Sequence, residues 1–303
     1  MKRDVISVRD LEFDMDEILS MALDLKSGRV KKEGALKGKT LAMIFEKPST
    51  RTRVSFEVGM AQLGGHALYL SPRDLQIGRG ETIADTAKVL SRYVDAIVYR
   101  AFSHEMMLEL AKNATVPVIN GLDDLEHPCQ IVADLLTVKE KKGKLKGIKM
   151  AYVGDGNNVC NSLLLGAAIV GMDFVAACPD GYKPNDKIVA DAISIAKRNK
   201  CLSKVISDPH DAVKDADVVY TDVWTSMGQE KEAEEREKVF APYQVNSKLL
   251  ANAKDDCIVM HCLPAHRGHE ITDEVIDGEQ SVVFDQAENR LHAQQAILLR
   301  VIR

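Results

Sequence analysis

The feature that most constrains the fold is an alternation. Short apolar runs rich in β-branched residues recur along the chain, each followed by a stretch of helical periodicity. The runs read as strands at Leu41–Phe45, His66–Leu70, Asp95–Arg100 and Val116–Asn120. A second set lies at Ile148–Val153, Phe174–Ala177, Val205–Ser207, Val218–Thr221, Cys257–His261 and Val282–Phe284. Such a succession predicts βαβ units and the α/β class: two doubly wound domains, each a central parallel β-sheet flanked by helices. The length, 303 residues, has room for about two domains. A basic, Gly-punctuated stretch at Lys139–Gly147 places their boundary near Thr137–Lys146. A last helix is expected over about Gln286–Val301, and the polar run Gln229–Lys238 reads as an exposed helix.

Charge and composition narrow the function. With 40 Lys+Arg against 45 Asp+Glu, the net charge of −5 argues against general binding to nucleic acid or anionic membranes. The longest near-continuous apolar stretch, Leu163–Met172, is far short of the roughly 20 residues that span a bilayer. The N-terminus carries no apolar signal core. Six cysteines are scattered without a CxxC pair, so free thiols in a reducing cytoplasm are expected.

In open parallel α/β sheets, ligands bind beyond the carboxyl ends of the strands. Ser49-Thr50-Arg51-Thr52-Arg53 follows one such end and opens a helix that closes at Gly64-Gly65, with Ser49 as a natural N-cap. Two arginines in a first helical turn oppose the helix dipole, an unfavourable placement that an anion partner would explain. Guanidinium groups match phosphate oxygens bidentately. Arg100 ends a strand, where either a ligand contact or a structural ion pair would suit it. His127-Pro128-Cys129-Gln130 opens another helix with Pro128 at its first position. Gln76–Thr82 is a glycine-rich, mobile loop without the GK[ST] of a Walker A sequence.

In the second half, Gly154-Asp155-Gly156-Asn157-Asn158-Val159 follows a strand and resembles a dinucleotide fingerprint. It lacks the third glycine and an acidic residue at the end of the next strand. A turn using an asparagine amide to hold a polar substrate is the better reading, and an NAD(P)-dependent oxidoreductase is the alternative from another class. Asp222 ends a strand and precedes Trp224, Ser226, Met227 and Gly228; it could bind an amine. His261, Cys262 and His266 have metal-binding side chains, but three from so short a loop make a poor zinc site. A reactive Cys262 beside a histidine and a carboxylate is more plausible than metal, with an inert buried thiol as the alternative.

Taken together, STRTR at 49–53, HPCQ at 127–130, DVWTSMG at 222–228, HCLPAHRG at 261–268 and ENRLHAQQA at 288–296 resemble the carbamoyltransferases, and specifically their ornithine branch. The aspartate branch is marked by a lysine in the mobile loop, which Gln76–Thr82 lacks, and putrescine enzymes by an altered SMG segment. These amines remain the alternatives within the family. The resemblance implies transfer of a carbamoyl group from carbamoyl phosphate to ornithine without a metal or organic cofactor. It implies that Ser49, Thr50, Arg51 and Thr52 bind carbamoyl phosphate, while Arg53 supports them or the domain interface. Arg100, His127 and Gln130 would contact the carbamoyl group, and Gln76 would enter a neighbouring subunit's site. Asn158, Asp222, Ser226 and Met227 would hold ornithine; Cys262, Leu263 and Arg290 would complete the centre. Cys262, Asp222, Arg100 and His127 are the implied catalytic set. The family pattern further implies a homotrimer or a multiple of it. It also implies a carbamoyl phosphate domain of residues 1–137 with 286–303 and an ornithine domain of residues 138–285. The same residues would serve arginine synthesis and arginine breakdown.

Overall fold

Nine strands among the described residues form two all-parallel sheets, ordered β2-β1-β3-β4 and β7-β6-β5-β8-β9. These labels follow the chain through β1 (Thr40–Phe45), β2 (His66–Leu70), β3 (Ala96–Arg100), β4 (Val118–Leu122), β5 (Lys149–Val153), β6 (Asp173–Ala177), β7 (Ser203–Ile206), β8 (Val218–Thr221) and β9 (Ile258–His261). The computed structural model describes residues 2–71, 73, 75–226 and 230–302. The chain divides into two units, Met1–Leu136 with Glu288–Arg303, and Thr137–Ala287. Both sheets are parallel and flanked by helices, the α/β architecture that the alternation predicts. No described helix is long and apolar enough to cross a membrane.

In the first unit, α1 (Met15–Lys26) precedes the sheet, and α2 (Thr50–Gln62), α3 (Ile83–Leu90), α4 (His104–Asn113) and the start of α5 (Pro128–Lys142) follow β1 to β4 in turn. The interior strands β1 and β3 are apolar except for Thr40 at the start of one and Tyr99 and Arg100 at the end of the other, and β3 is buried throughout. Ile44, Ile97, Tyr99, Met107 and Val118 belong to one core. The order reverses between β1 and β3, whose final residues Phe45 and Arg100 are register partners. A crevice at such a reversal, beyond the carboxyl ends, is where this architecture takes ligands.

The second unit repeats the plan with α6 (Asn158–Val170), α7 (Asp186–Asn199), α8 (Pro209–Val213), α9 (Ala233–Phe240), α10 (Ser247–Leu250), α11 (Asp273–Ile276) and the first residues of α12 (Val283–Val301). Its reversal lies between β5 and β8. Val153 pairs with Thr221, and Thr221 with His261, so β5, β8 and β9 deliver residues 154, 222 and 262 to one edge.

Three local expectations need correction. Val282–Phe284 is not a strand: the chain makes one bridge, Val259 to Ser281, and α12 begins at Val283. The Val282 carbonyl already accepts the Gln286 N–H at 2.9 Å, so helical bonding overrides a β-prone triplet. The fourth strand starts at Val118 rather than Val116. Pro117 has no N–H to give to a ladder. Of the Gln229–Lys238 run, Gln229 lies outside the described residues, Glu230–Glu232 form a single 3-10 turn, and the α-helix that starts at Ala233 is not solvated all round: Arg236 and Phe240 are buried.

Candidate active site

In the first unit, the Ser49 hydroxyl caps α2 by accepting the Thr52 N–H at 3.2 Å, as its place at the head of the STRTR run predicts. Gly64, with φ +81°, follows the helix end in the left-handed conformation that suits glycine. The first turn of α2 has no acidic residue to balance Arg51 and Arg53. Arg53 is accounted for by its neighbours: it stacks 3.7 Å over the Tyr69 ring and pairs with Glu57 at 3.4 Å. Arg51 is half-buried at the helix start, and Thr50 is exposed.

Arg290 of α12 is buried and joins two of the expected residues. Its Nη2 donates to Thr52 Oγ1 at 2.9 Å and its Nη1 to Gln130 Oε1 at 2.5 Å, while Gln130 Nε2 donates to Asp134 at 2.8 Å. His127 lies beside this group, 5% exposed. Burial holds its imidazole well below the usual histidine range, and the positive charges of Arg290, Arg100 and Arg51 push it the same way. A neutral imidazole among guanidinium groups is a poor place for another cation and a good one for a dianion with a polarised carbonyl. Ser49, Arg51, Thr52, Arg100, His127, Gln130 and Arg290 are thus held at or beside one edge of the first sheet. Gln76 stands apart: it is exposed before a short turn, Ile77–Arg79, and no hydrogen bond joins its side chain to these residues.

In the second unit, the reversal brings together the residues after β5, β8 and β9. Asp222 Oδ1 accepts from Cys262 Sγ at 3.0 Å, and Asp222 Oδ2 accepts from Asn157 Nδ2 at 2.8 Å. Asn157, not Asn158, is the cap of α6; its Oδ1 accepts the N–H groups of Val159 and Cys160. Asn158 is the first helical residue and is half-buried. Ser226 and Leu263 are half-buried, and Leu263 takes a positive φ of +59° before the cis Pro264 bond. Met227 lies outside the described residues.

The role of Asn157 and that of Arg236 are what sequence reasoning misses. Arg236, from the polar run, is 3% exposed. It donates to the Trp224 carbonyl at 2.6 Å and to Asp155 Oδ2 at 2.5 Å. Burial pushes the Asp155 carboxyl up to about 7, with Arg236 as the main opposing pull. An arginine spaced like an interior helical position, four before Phe240, was the available sign.

The second-unit turn does not fit a dinucleotide. The Asn157 side chain already takes two N–H groups of α6 that a pyrophosphate would need. A Cβ at Gly156 would lie 2.2 Å from Pro184 N, so this turn packs against protein backbone. Nor does the cluster fit a metal, although donor atoms of Asp222, His261 and Cys262 lie within 4.8 Å of one another. His261 Nδ1 accepts the Leu263 N–H at 2.8 Å, and Nε2 lies 3.1 Å from Glu270 Oε1. With the proton on Nε2 both contacts are satisfied and no lone pair is left for an ion.

Comparison with known proteins places this geometry in a family. Residues 3–140 match the carbamoyl-P binding domain of the aspartate/ornithine carbamoyltransferases, and residues 146–301 match their Asp/Orn binding domain. A catabolic ornithine carbamoyltransferase of Thermoplasma volcanium is 56% identical over 301 residues, covering 99% of each chain. An anabolic one of Pyrococcus furiosus is 57% identical over 305 residues, covering 99% of this chain and 96% of its own. The solved structure of an ornithine carbamoyltransferase from Pyrococcus furiosus superimposes with a TM-score of 0.95 at 57% identity, covering 99% of this chain and 97% of that one. By its motifs, its two parallel sheets and these full-length likenesses, the chain belongs to the ornithine carbamoyltransferases of the aspartate/ornithine carbamoyltransferase family.

Proposed function

We propose that the protein transfers the carbamoyl group of carbamoyl phosphate to the side-chain amine of L-ornithine, giving L-citrulline and phosphate. Membership of the ornithine family carries the reaction. The gathering of Arg51, Arg100 and Arg290 about a neutral His127 supports it as the one chemical observation on the phosphate side. Ser49, Thr50, Arg51 and Thr52 bind the phosphate, aided by the positive end of the α2 dipole. Arg100, His127, Gln130 and Arg290 hold the carbamoyl end, with the Leu263 carbonyl and Cys262 close to the reacting centre. Asn158, Asp222, Ser226 and Met227 hold ornithine.

The amine attacks the carbonyl carbon, the C–O bond to phosphate breaks, and the amine proton is lost. An alkylammonium is protonated at neutral pH, so the attacking nitrogen must first give up a proton. Asp222 and Cys262 orient the nitrogen and assist that loss. Negative charge grows on the carbonyl oxygen, where Thr52, Arg100 and neutral His127 donate, and then on the departing phosphate, where Arg51 and the α2 dipole receive it. Holding both reactants in place supplies much of the rate.

The finer features follow the same reading. The exposed Gln76 is lent to a neighbouring copy in a homotrimer or a multiple of trimers, and free thiols suit a cytoplasmic location. A mixed anhydride gives way to a stable urea, so the reaction runs downhill toward citrulline, the direction that arginine biosynthesis would use. The test is a citrulline assay with carbamoyl phosphate and ornithine, run beside aspartate and putrescine. Product from ornithine alone supports the assignment, whereas carbamoylation of either other amine at equal efficiency overturns it. Light scattering that gives a monomer mass would remove the trimer.

A further inference from the structure

The run Gln229–Lys238 carries seven charged side chains in its last eight positions, yet Arg236 within it is among the least exposed charges of the second unit. Its guanidinium sits 4.7 Å from the Tyr182 ring and 5.3 Å from the Phe240 ring. Two bonds leave it in different directions, Nε to the Trp224 carbonyl and Nη2 to Asp155. A third, looser contact runs to Glu232 at 3.5 Å.

The placement of the two main partners matters. Asp155 lies two residues before Asn157, and Trp224 lies two residues after Asp222. Asn157 and Asp222 are themselves bonded at 2.8 Å across the reversal between β5 and β8. One planar cation therefore ties together the two strand-end segments whose side chains meet there. Arginine suits this because its donors form a fixed fork, whereas a lysine ammonium could not hold two divergent acceptors in one plane. The segment after β5 has a second anchor, since the Gly156 N–H donates to the Tyr182 carbonyl at 2.9 Å and the Tyr182 ring packs edge-on against Phe240. The segment after β8 is tied to that turn by Asn157 and by Arg236. Buried as it is, Arg236 has no surface to offer a substrate.

We propose that Arg236 is a positioning residue for ornithine: through Asp155 and the Trp224 carbonyl it sets the register between the turn carrying Asn157 and the strand end carrying Asp222. This rests on the ornithine reading given above. It goes beyond it in giving a specific task in amine binding to a helix that touches no substrate.

The test compares Arg236→Met, Arg236→Lys and Asp155→Asn in the full chain. Initial rates give kcat and KM for ornithine at saturating carbamoyl phosphate, and equilibrium dialysis gives carbamoyl phosphate binding. Arg236→Met is expected to raise the ornithine KM at least tenfold with carbamoyl phosphate binding within twofold of wild type. Arg236→Lys should recover only part of the loss. Adding Asp155→Asn to Arg236→Met should cost less than the two separate effects combined, because both act on one link. Removing a buried partner can also impair folding. If Arg236→Met does not fold, the isosteric Asp155→Asn carries the test alone, with the same rise in ornithine KM expected. Trp224 is the only tryptophan, so acrylamide quenching gives a second reading: it should increase in each variant. An ornithine KM within twofold of wild type in a folded variant overturns the proposal, as does equal weakening of both substrates. Wild-type protein that makes no citrulline overturns the ornithine reading and this proposal together. Active wild type with unaffected variants overturns this one alone.

Discussion

Cys262 Sγ stands 3.0 Å from Asp222 Oδ1, while the other oxygen of the same carboxylate accepts from Asn157 at 2.8 Å. The carboxylate is therefore held from both sides at the edge where β8 and β9 end. Cys262→Ala removes one holder and leaves the charge. A hydrogen bond to a charged group contributes about 1.5–3 kcal/mol, so kcat/KM for ornithine should fall roughly 10- to 150-fold. Carbamoyl phosphate binding should stay within a factor of about two. Steady-state kinetics with each substrate varied separately checks this; equal loss for both would mark Cys262 as a structural thiol.

Accessibility of the thiols gives a second prediction. Cys262 and Cys201 are half-buried, and the other four are buried. Burial pushes Cys129 and Cys257 up to about 12, which leaves almost no thiolate at neutral pH. Iodoacetamide should label Cys262 and Cys201 before the rest. Citrulline with phosphate should protect Cys262 and not Cys201, as peptide mass mapping would show. Equal protection of both, or of neither, would separate Cys262 from the substrate.

Arg51→Ala tests the phosphate end. Arg53 is engaged by Tyr69 and Glu57, whereas the positive charge of Arg51 reaches His127, which puts Arg51 on the side where a dianion would sit. Loss of a charge-assisted, bidentate contact should weaken carbamoyl phosphate binding by roughly two orders of magnitude. Arg53→Ala should act through stability, lowering Tm with a smaller change in affinity. Calorimetric titration with carbamoyl phosphate, together with thermal melts of both variants, distinguishes them; the reverse pattern would exchange their roles.

Much of the fold is legible in the amino-acid sequence alone. The alternation of apolar runs led to parallel sheets because buried parallel strands need apolar residues on both faces, and that leaves a long, unambiguous trace. Residues just past strand ends stood out for the same reason, since polar side chains there interrupt an apolar pattern. What escaped were features that depend on which strands become neighbours. Asn157 and Asn158 are equivalent in a one-dimensional reading; only the placement of β8 beside β5 brings Asn157 to Asp222. Arg236 was hidden by its own surroundings, because charged neighbours on the exposed face of α9 mask one buried charge. Val282–Phe284 misled because β-propensity reflects packing more than backbone preference.

Glu126 and His127 are adjacent, both buried, and displaced in opposite directions by the same cause. Burial disfavours whichever form is charged, so it pushes the Glu126 carboxyl up to about 7 and holds the His127 imidazole well below its usual range. Hydrogen bonds from Val8 N–H and Ser7 pull Glu126 back down without cancelling that effect. For stability, the sign follows from proton counts. Between pH 4.5 and about 7 the folded chain keeps a proton on Glu126 that the unfolded chain has released. Its contribution is therefore full below that window and lost as pH rises through it. Each pKa unit corresponds to about 1.4 kcal/mol, so the swing is a few kcal/mol at most. Glu126→Gln mimics the protonated form and removes the swing. Its Tm relative to wild type should climb from pH 5 to pH 7 and level off above about 7.5. A constant difference across that range would mean that Glu126 does not titrate there. His127, already neutral, should add no inflection to the kcat profile between pH 6 and 8, which steady-state rates at saturating substrates would check. An inflection in that range that His127→Asn abolishes would show that the imidazole is charged during turnover and does not act as a neutral donor.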